Sequence, residues 1–112
     1  MNIVYPNGKR PASSVMWDRR ELDTILRVYG HMVARGDWRD YAIDGMGDRA
    51  LFSIFRRASE MPLYTVEKVP ADRLRQGQYR VVALGGQILK RGADLKQVLR
   101  VFEKKRFHLV GE

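Results

Sequence analysis

The chain has no cysteine, two histidines and four prolines, and no uninterrupted apolar run long enough to span a bilayer. Without cysteine there can be no disulfide, no thiolate metal site and no cysteine nucleophile, as suits a reducing compartment. His31 and His108 are far apart, and the carboxylates fall at expected caps and turns, so neither a nucleophile with its base nor a metal-ligand set stands out. A non-catalytic protein without a cofactor is therefore expected. The N-terminus lacks a basic patch followed by an apolar stretch, so the expected location is cytoplasmic, with no membrane contact.

Acidic residues are scarce in one region only. Residues 1–72 hold eleven Lys and Arg against ten Asp and Glu, whereas residues 73–108 hold ten against Asp94 and Glu103 alone. The excess positive charge of this +8 chain thus belongs to its C-terminal third, which bears on polyanionic partners and not on the fold. What remains is ordinary: 112 residues, 45% hydrophobic and 30% charged, describe one folded globular domain. Residues 1–16 read as a tail rich in turn formers, with a short extended piece at "NIVY"; residues 17–108 read as a single domain and 109–112 as a C-terminal tail.

Asp18 followed by Glu21 has the spacing of a capping box, with Trp17 and Leu22 as the flanking staple. Leu22, Ile25, Leu26, Tyr29 and Val33 then recur on one helical face, and Gly36 stops a helix expected over Arg19–Arg35. Gly30 inside it costs about 1 kcal/mol against alanine, which predicts a close approach to the sheet. His31 lies beside the apolar stripe, where it reads as a solvated surface histidine.

From Gly36 to Val69 the pattern changes to strands. Arg39–Asp44, Arg49–Arg57 and Leu63–Val69 are joined by "DGMGD" and "ASEMP". Asp40, Asp44 and Asp48 lack the ligand spacing of a calcium loop and read as turn and cap residues. The second strand carries Ala50, Phe52 and Ile54 on one face and Leu51 and Phe55 on the other, so both faces call for cover. After the polar connection Pro70–Gly77, a fourth strand spans Gln78–Leu84. Gly85 and Gly86 then suit a two-residue hairpin loop, and "QILK" follows as a fifth strand. Asp94 and Gln97 repeat the capping spacing ahead of Leu95, Val98, Leu99 and Phe102, predicting a helix over Leu95–Lys105. The expected fold is α+β: an N-terminal helix, an antiparallel meander of four to five strands and a C-terminal helix.

The stretches "WDRRELDTILRVYGHMVARGDWRDYAID", "LFSIFRRASEMPLYTVEK" and "ILKRGADLKQVLRVF" resemble a family of short uncharacterised bacterial proteins classed as a domain of unknown function. Together they cover most of Trp17 to Phe102. The resemblance implies no activity, cofactor or site.

Function has to be read from charge. Lys96, Arg100 and Lys104 recur every four residues opposite the apolar face of the second helix; Lys105 and Arg106 extend them, Lys90 and Arg91 precede them, and Arg56 and Arg57 end the second strand. Basic residues in the last helical turn suit the helix dipole, but Lys90, Arg91 and Lys96 at its approach do not. These nine residues are the candidate nucleic-acid or anion site of a small, non-catalytic basic module that contacts the phosphate backbone. Trp38, Phe55, Tyr64 and Tyr79 are candidates for base stacking, against the alternative that they are core. The competing reading is a homodimeric protein-interaction or structural module with no nucleic-acid role, in which a second subunit covers one sheet face. No small-molecule ligand is indicated.

Overall fold

The computed structural model describes residues 14–57 and 61–110, with side chains to Glu103. Helix α1 spans Arg19–Ala34 and begins at the expected capping box: Asp18 Oδ1 accepts from the Glu21 N–H at 2.9 Å, and Glu21 Oε1 accepts from the Asp18 N–H at 2.8 Å. Five antiparallel strands follow, β1 (Asp40–Gly45), β2 (Ala50–Phe55), β3 (Tyr64–Lys68), β4 (Tyr79–Ala83) and β5 (Ile88–Gly92), and then helix α2 (Leu95–Val110). Each strand pairs with its neighbour in sequence, so the sheet is the expected meander and the fold is α+β. A 3-10 turn, Pro70–Asp72, opens the connection from β3 to β4.

Register assigns the faces. Ile43, Phe52, Val66 and Val81 stand opposite one another across β1 to β4, and the last three are fully buried. Against this inner face lie Ile25 and Met32 of α1, Leu95, Val98, Leu99 and Phe102 of α2, and the flanking Trp17 and Trp38. Both helices therefore cover the same face. They also run in the same direction, starting beside Lys68, Tyr79 and Gly92 and heading for the end of the sheet where Trp38, Tyr64 and Phe102 meet with ring centroids 4.8 to 6.3 Å apart, α2 continuing beyond.

No described helix covers the outer face. There Ala42, Ser53, Thr65, Val82 and Ile88 form one cross-strand row and Asp44, Leu51, Glu67, Arg80 and Arg91 another. Leu51 and Phe55 of β2 are only half-buried on it. Asp44 and Ser53 are buried, and Asp44 Oδ1 has no hydrogen-bond partner.

Four local expectations are corrected. Val33 is 40% exposed and Met32 takes its place in the core, because the buried stripe of α1 centres on Ile25 and Met32, seven residues apart. Helix α2 continues to Val110, five residues past the expected end, since nothing in the sequence interrupts it before Gly111. The β4–β5 loop has three residues instead of two: Ala83 bonds Gln87, Gly86 N–H reaches Ala83 O at 2.9 Å, and Gly85 takes φ 100 within that turn. Gly30 meets open space instead of the sheet. The glycine with no room is Gly77, at φ 87, where an added Cβ would lie 2.0 Å from the backbone carbon of Gly92. There the β3–β4 connection crosses the end of β5 main chain to main chain.

A buried polar cluster fixes α1 on the sheet. Glu21 Oε1, besides closing the cap, accepts from Lys68 Nζ at 2.8 Å, and Glu21 Oε2 accepts from the Tyr79 hydroxyl. Lys68 also donates to Met16 O at 3.0 Å, and the Trp17 ring stacks on Tyr79 with an interplanar angle of 8°. Burial, then the bond to Glu21, pushes the Tyr79 phenol well above its ordinary value; burial also raises Tyr64 and Tyr29.

Three predictions follow, from close approach, from burial of charge and from the raised phenol. Gly77→Ala should destabilise by at least about 3 kcal/mol in urea unfolding, combining positive φ with overpacking against backbone, whereas Gly30→Ala should stabilise by up to about 1 kcal/mol. Glu21→Ala should cost about 2–4 kcal/mol, because Lys68 and Tyr79 keep their desolvation without their partner. A phenol raised in the fold protects it fully below the unfolded tyrosine value of about 10; above that the unfolded chain loses its proton first, and stability falls with rising pH. Tyr79→Phe should therefore show a shallower alkaline decline than the wild type in unfolding measured from neutral to alkaline pH.

Candidate anion-binding surface

The basic residues of the C-terminal third divide into two groups. On the outer face and in the β3–β4 connection, Arg80 and Arg75 are paired with acids. Arg80 donates to Glu67 Oε1 at 2.9 Å through Nε, and Arg49 donates to the same oxygen at 3.1 Å; Arg75 lies 3.3 Å from Asp72. Arg91 shares this face, standing across from Arg80, but its guanidinium donates to the uncharged Gln76 amide, so it is hydrogen-bonded without an acidic partner. Lys90 and Arg91 therefore do not act together: neighbours on a strand point to opposite faces.

Around α2 the cations lack such partners. The exposed ridge of this helix, carrying Gln97, Arg100 and Glu103, has a groove on either side. One, of about 450 Å³, lies between α1 and α2 and is lined by Arg27, His31, Lys96 and Arg100 above Val28 and Leu99. The other, of about 610 Å³, lies between β5 and α2 and brings Lys90 and Leu89 to Arg100 and Val101. Among the described residues Arg27, Lys90 and Lys96 make no ion pair. Arg100 approaches Glu103 at 3.9 Å, but both side chains are more than 60% exposed, so the attraction is largely screened by water. Asp94 is committed to the helix start, accepting from the Gln97 N–H at 3.2 Å.

Three of the nine candidates, Lys90, Lys96 and Arg100, are thus brought together along α2. Lys104, Lys105 and Arg106 are carried by the last turns of the same helix, where side chains are outside the described residues. Arg56 and Arg57 are exposed beyond the end of β2, and the Arg56 charge reaches Tyr64, whose ring contacts Phe102 of α2 at 5.1 Å. Sequence reasoning missed Arg27 as a candidate and read His31 as solvated; both are exposed on α1 and line the groove. Their spacing of four marks one flank of α1, but only the placement of both helices on one sheet face directs that flank at α2.

The stacking platform is not formed. Trp38 and Tyr79 are buried, Tyr64 is half-buried against Phe102 and Trp38, and Phe55 is half-buried on the opposite sheet face. The aromatic side chains were recruited for their large burial energy. Of the three aspartates near the first turn, Asp40 accepts from the Tyr41 N–H, Asp48 pairs with Arg49 and Asp44 is buried. Among the described residues no group of three or more acidic or histidine side chains could hold a metal ion, and no helix is long and apolar enough to cross a membrane. Neither groove reaches the Glu21 cluster.

A family model described as "Protein of unknown function (DUF2794)" matches residues 15–99, from the segment before α1 to the second turn of α2. No curated protein and no solved structure matches the chain.

Proposed function

Since the chain belongs to this family of unknown function, we propose that it is a small, non-catalytic cytoplasmic binding module that holds nucleic acid by its phosphates along α2. The observation that supports this is the segregation of charge. Arg49 and Arg80 of the outer face are paired with Glu67 and Arg75 with Asp72, while Arg91 bonds Gln76; Arg27, Lys90, Lys96 and Arg100 instead flank α2 with Glu103 as the one acid lining the grooves among the described residues. A row of uncompensated cations along two grooves suits a chain of phosphates, which releases counter-ions as it binds. With the ring systems committed to packing, contact is to the backbone and not to base faces, so little sequence preference is expected.

A second reading is favoured by the absence of any described helix on the outer sheet face, where Ile88 is 36% exposed beside Val82. In it a second copy covers that face and the chain is a homodimeric structural module; a monomeric mass in solution would remove it.

The test of the first reading is salt-dependent binding of a labelled oligonucleotide. Changing Lys90, Lys96 and Arg100 together to Gln should weaken binding more than tenfold at low salt and flatten the log–log salt slope by about two to three units, at roughly 0.7–0.9 per phosphate contact. Arg75→Gln, on the paired face, should change neither. Equal binding by the triple variant would remove the site, and no binding by the wild type at low salt would remove the function.

A further inference from the structure

Among the residues lining the α1–α2 groove, one differs chemically from the rest. His31 is the only side chain there whose charge ordinarily changes between about pH 5 and 8. We infer that the α1–α2 groove is a proton-linked phosphate subsite, in which His31 takes up a proton as an oxyanion binds, so that the module holds phosphodiesters more tightly as pH falls. The inference rests on the polyanion reading and adds its regulation.

The geometry supplies both halves of the linkage. His31 is exposed in the last turn of α1, facing a groove to which α1 contributes Arg27 and α2 contributes Lys96, Arg100 and Glu103. Arg35, the C-cap residue just past α1, lies 4.0 Å from Asp37. Among the groups lining the groove only Glu103 is negative, and it faces Arg100 at 3.9 Å; Asp37, outside the groove, faces Arg35. A negative ligand in the groove would offset the like charges of Arg27, Lys96 and Arg100 and favour the charged imidazole. The protonated ring donates from both nitrogens, the neutral ring from one, so an oxyanion gains a donor as well as a charge. Arg27, Lys96 and Arg100 stay charged across this range and provide affinity that does not vary with pH.

A phosphodiester oligonucleotide is the right probe, because its backbone does not titrate near neutrality, whereas a terminal phosphate monoester has a second pKa of about 6. Dissociation constants for the full chain would be measured at fixed salt at about pH 6 and pH 8, bracketing the ordinary imidazole value. The wild type should bind about three- to tenfold more tightly at the lower pH, the range expected for one added charged contact. His31→Gln should bind with the same affinity at both pH values and match the wild type at the higher one. His31→Lys, with a permanent charge, should be tight at both. His108→Gln should keep the wild-type dependence. As His31 is exposed, these variants should retain the wild-type melting temperature.

Persistence of the wild-type pH dependence in His31→Gln, or its loss in His108→Gln, would overturn the subsite while leaving the polyanion function standing. His31→Lys no tighter than His31→Gln at the higher pH would do the same. Absence of binding by the wild type at either pH would overturn both.

Discussion

Glu21 does three things with two oxygens. It closes the cap of α1, neutralises Lys68 at the end of β3 and accepts from Tyr79 at the start of β4. A carboxylate at this depth is tolerable only with its partners in place. Lys68 and Tyr79 lie opposite each other on the inner face, so the cluster leaves α1 one sheet face and one end at which to begin. Trp17 stacked on Tyr79 completes the seat. The remaining packing follows from that anchor: α1 runs across the inner face to Trp38, which meets Phe102 from α2.

The same anchor accounts for the charge pattern. With α1 held beside α2, the polar flanks of two helices face each other across a groove instead of facing solvent on opposite sides of the sheet. Arg27 and His31 then face Lys96 and Arg100 at a concave surface, where cations of one sign raise the local concentration of an anionic partner. On the other side of the sheet, Glu67 alone takes up two arginines. Charge balance is therefore local, and the net charge of the C-terminal third overstated what is available for binding.

Much of this was legible in the chain. The capping spacings at Asp18 and Asp94, the helical periods after them and the turn formers between the strands each rest on contacts within a few residues, which is why the α+β meander could be read directly. Gly77 and Gly30 mark the limit: both are glycines in plain view, but only tertiary structure tells that the first is crossed by Gly92 and the second faces solvent. The apolar pattern of β2 was satisfied equally by cover on two faces or by one covered face and one half-buried face, so helix placement was not encoded in that strand. Glu21 was legible as a cap and illegible as a hub, because its partners lie 47 and 58 residues away. Strand alternation did contain the separation of Lys90 from Arg91; proximity in sequence concealed it.

The meander has a kinetic side. Because each strand pairs with the next, every hairpin can zip from its own turn, and the chain closures needed for the sheet are short. The long closure is the return of the first helix to Lys68 and Tyr79, and its entropic cost falls on a single docking event. The sheet and α2 form a unit contiguous in sequence, onto which α1 folds back, so the half of the groove carrying Arg27 and His31 depends on that long closure while the half carrying Lys96 and Arg100 does not.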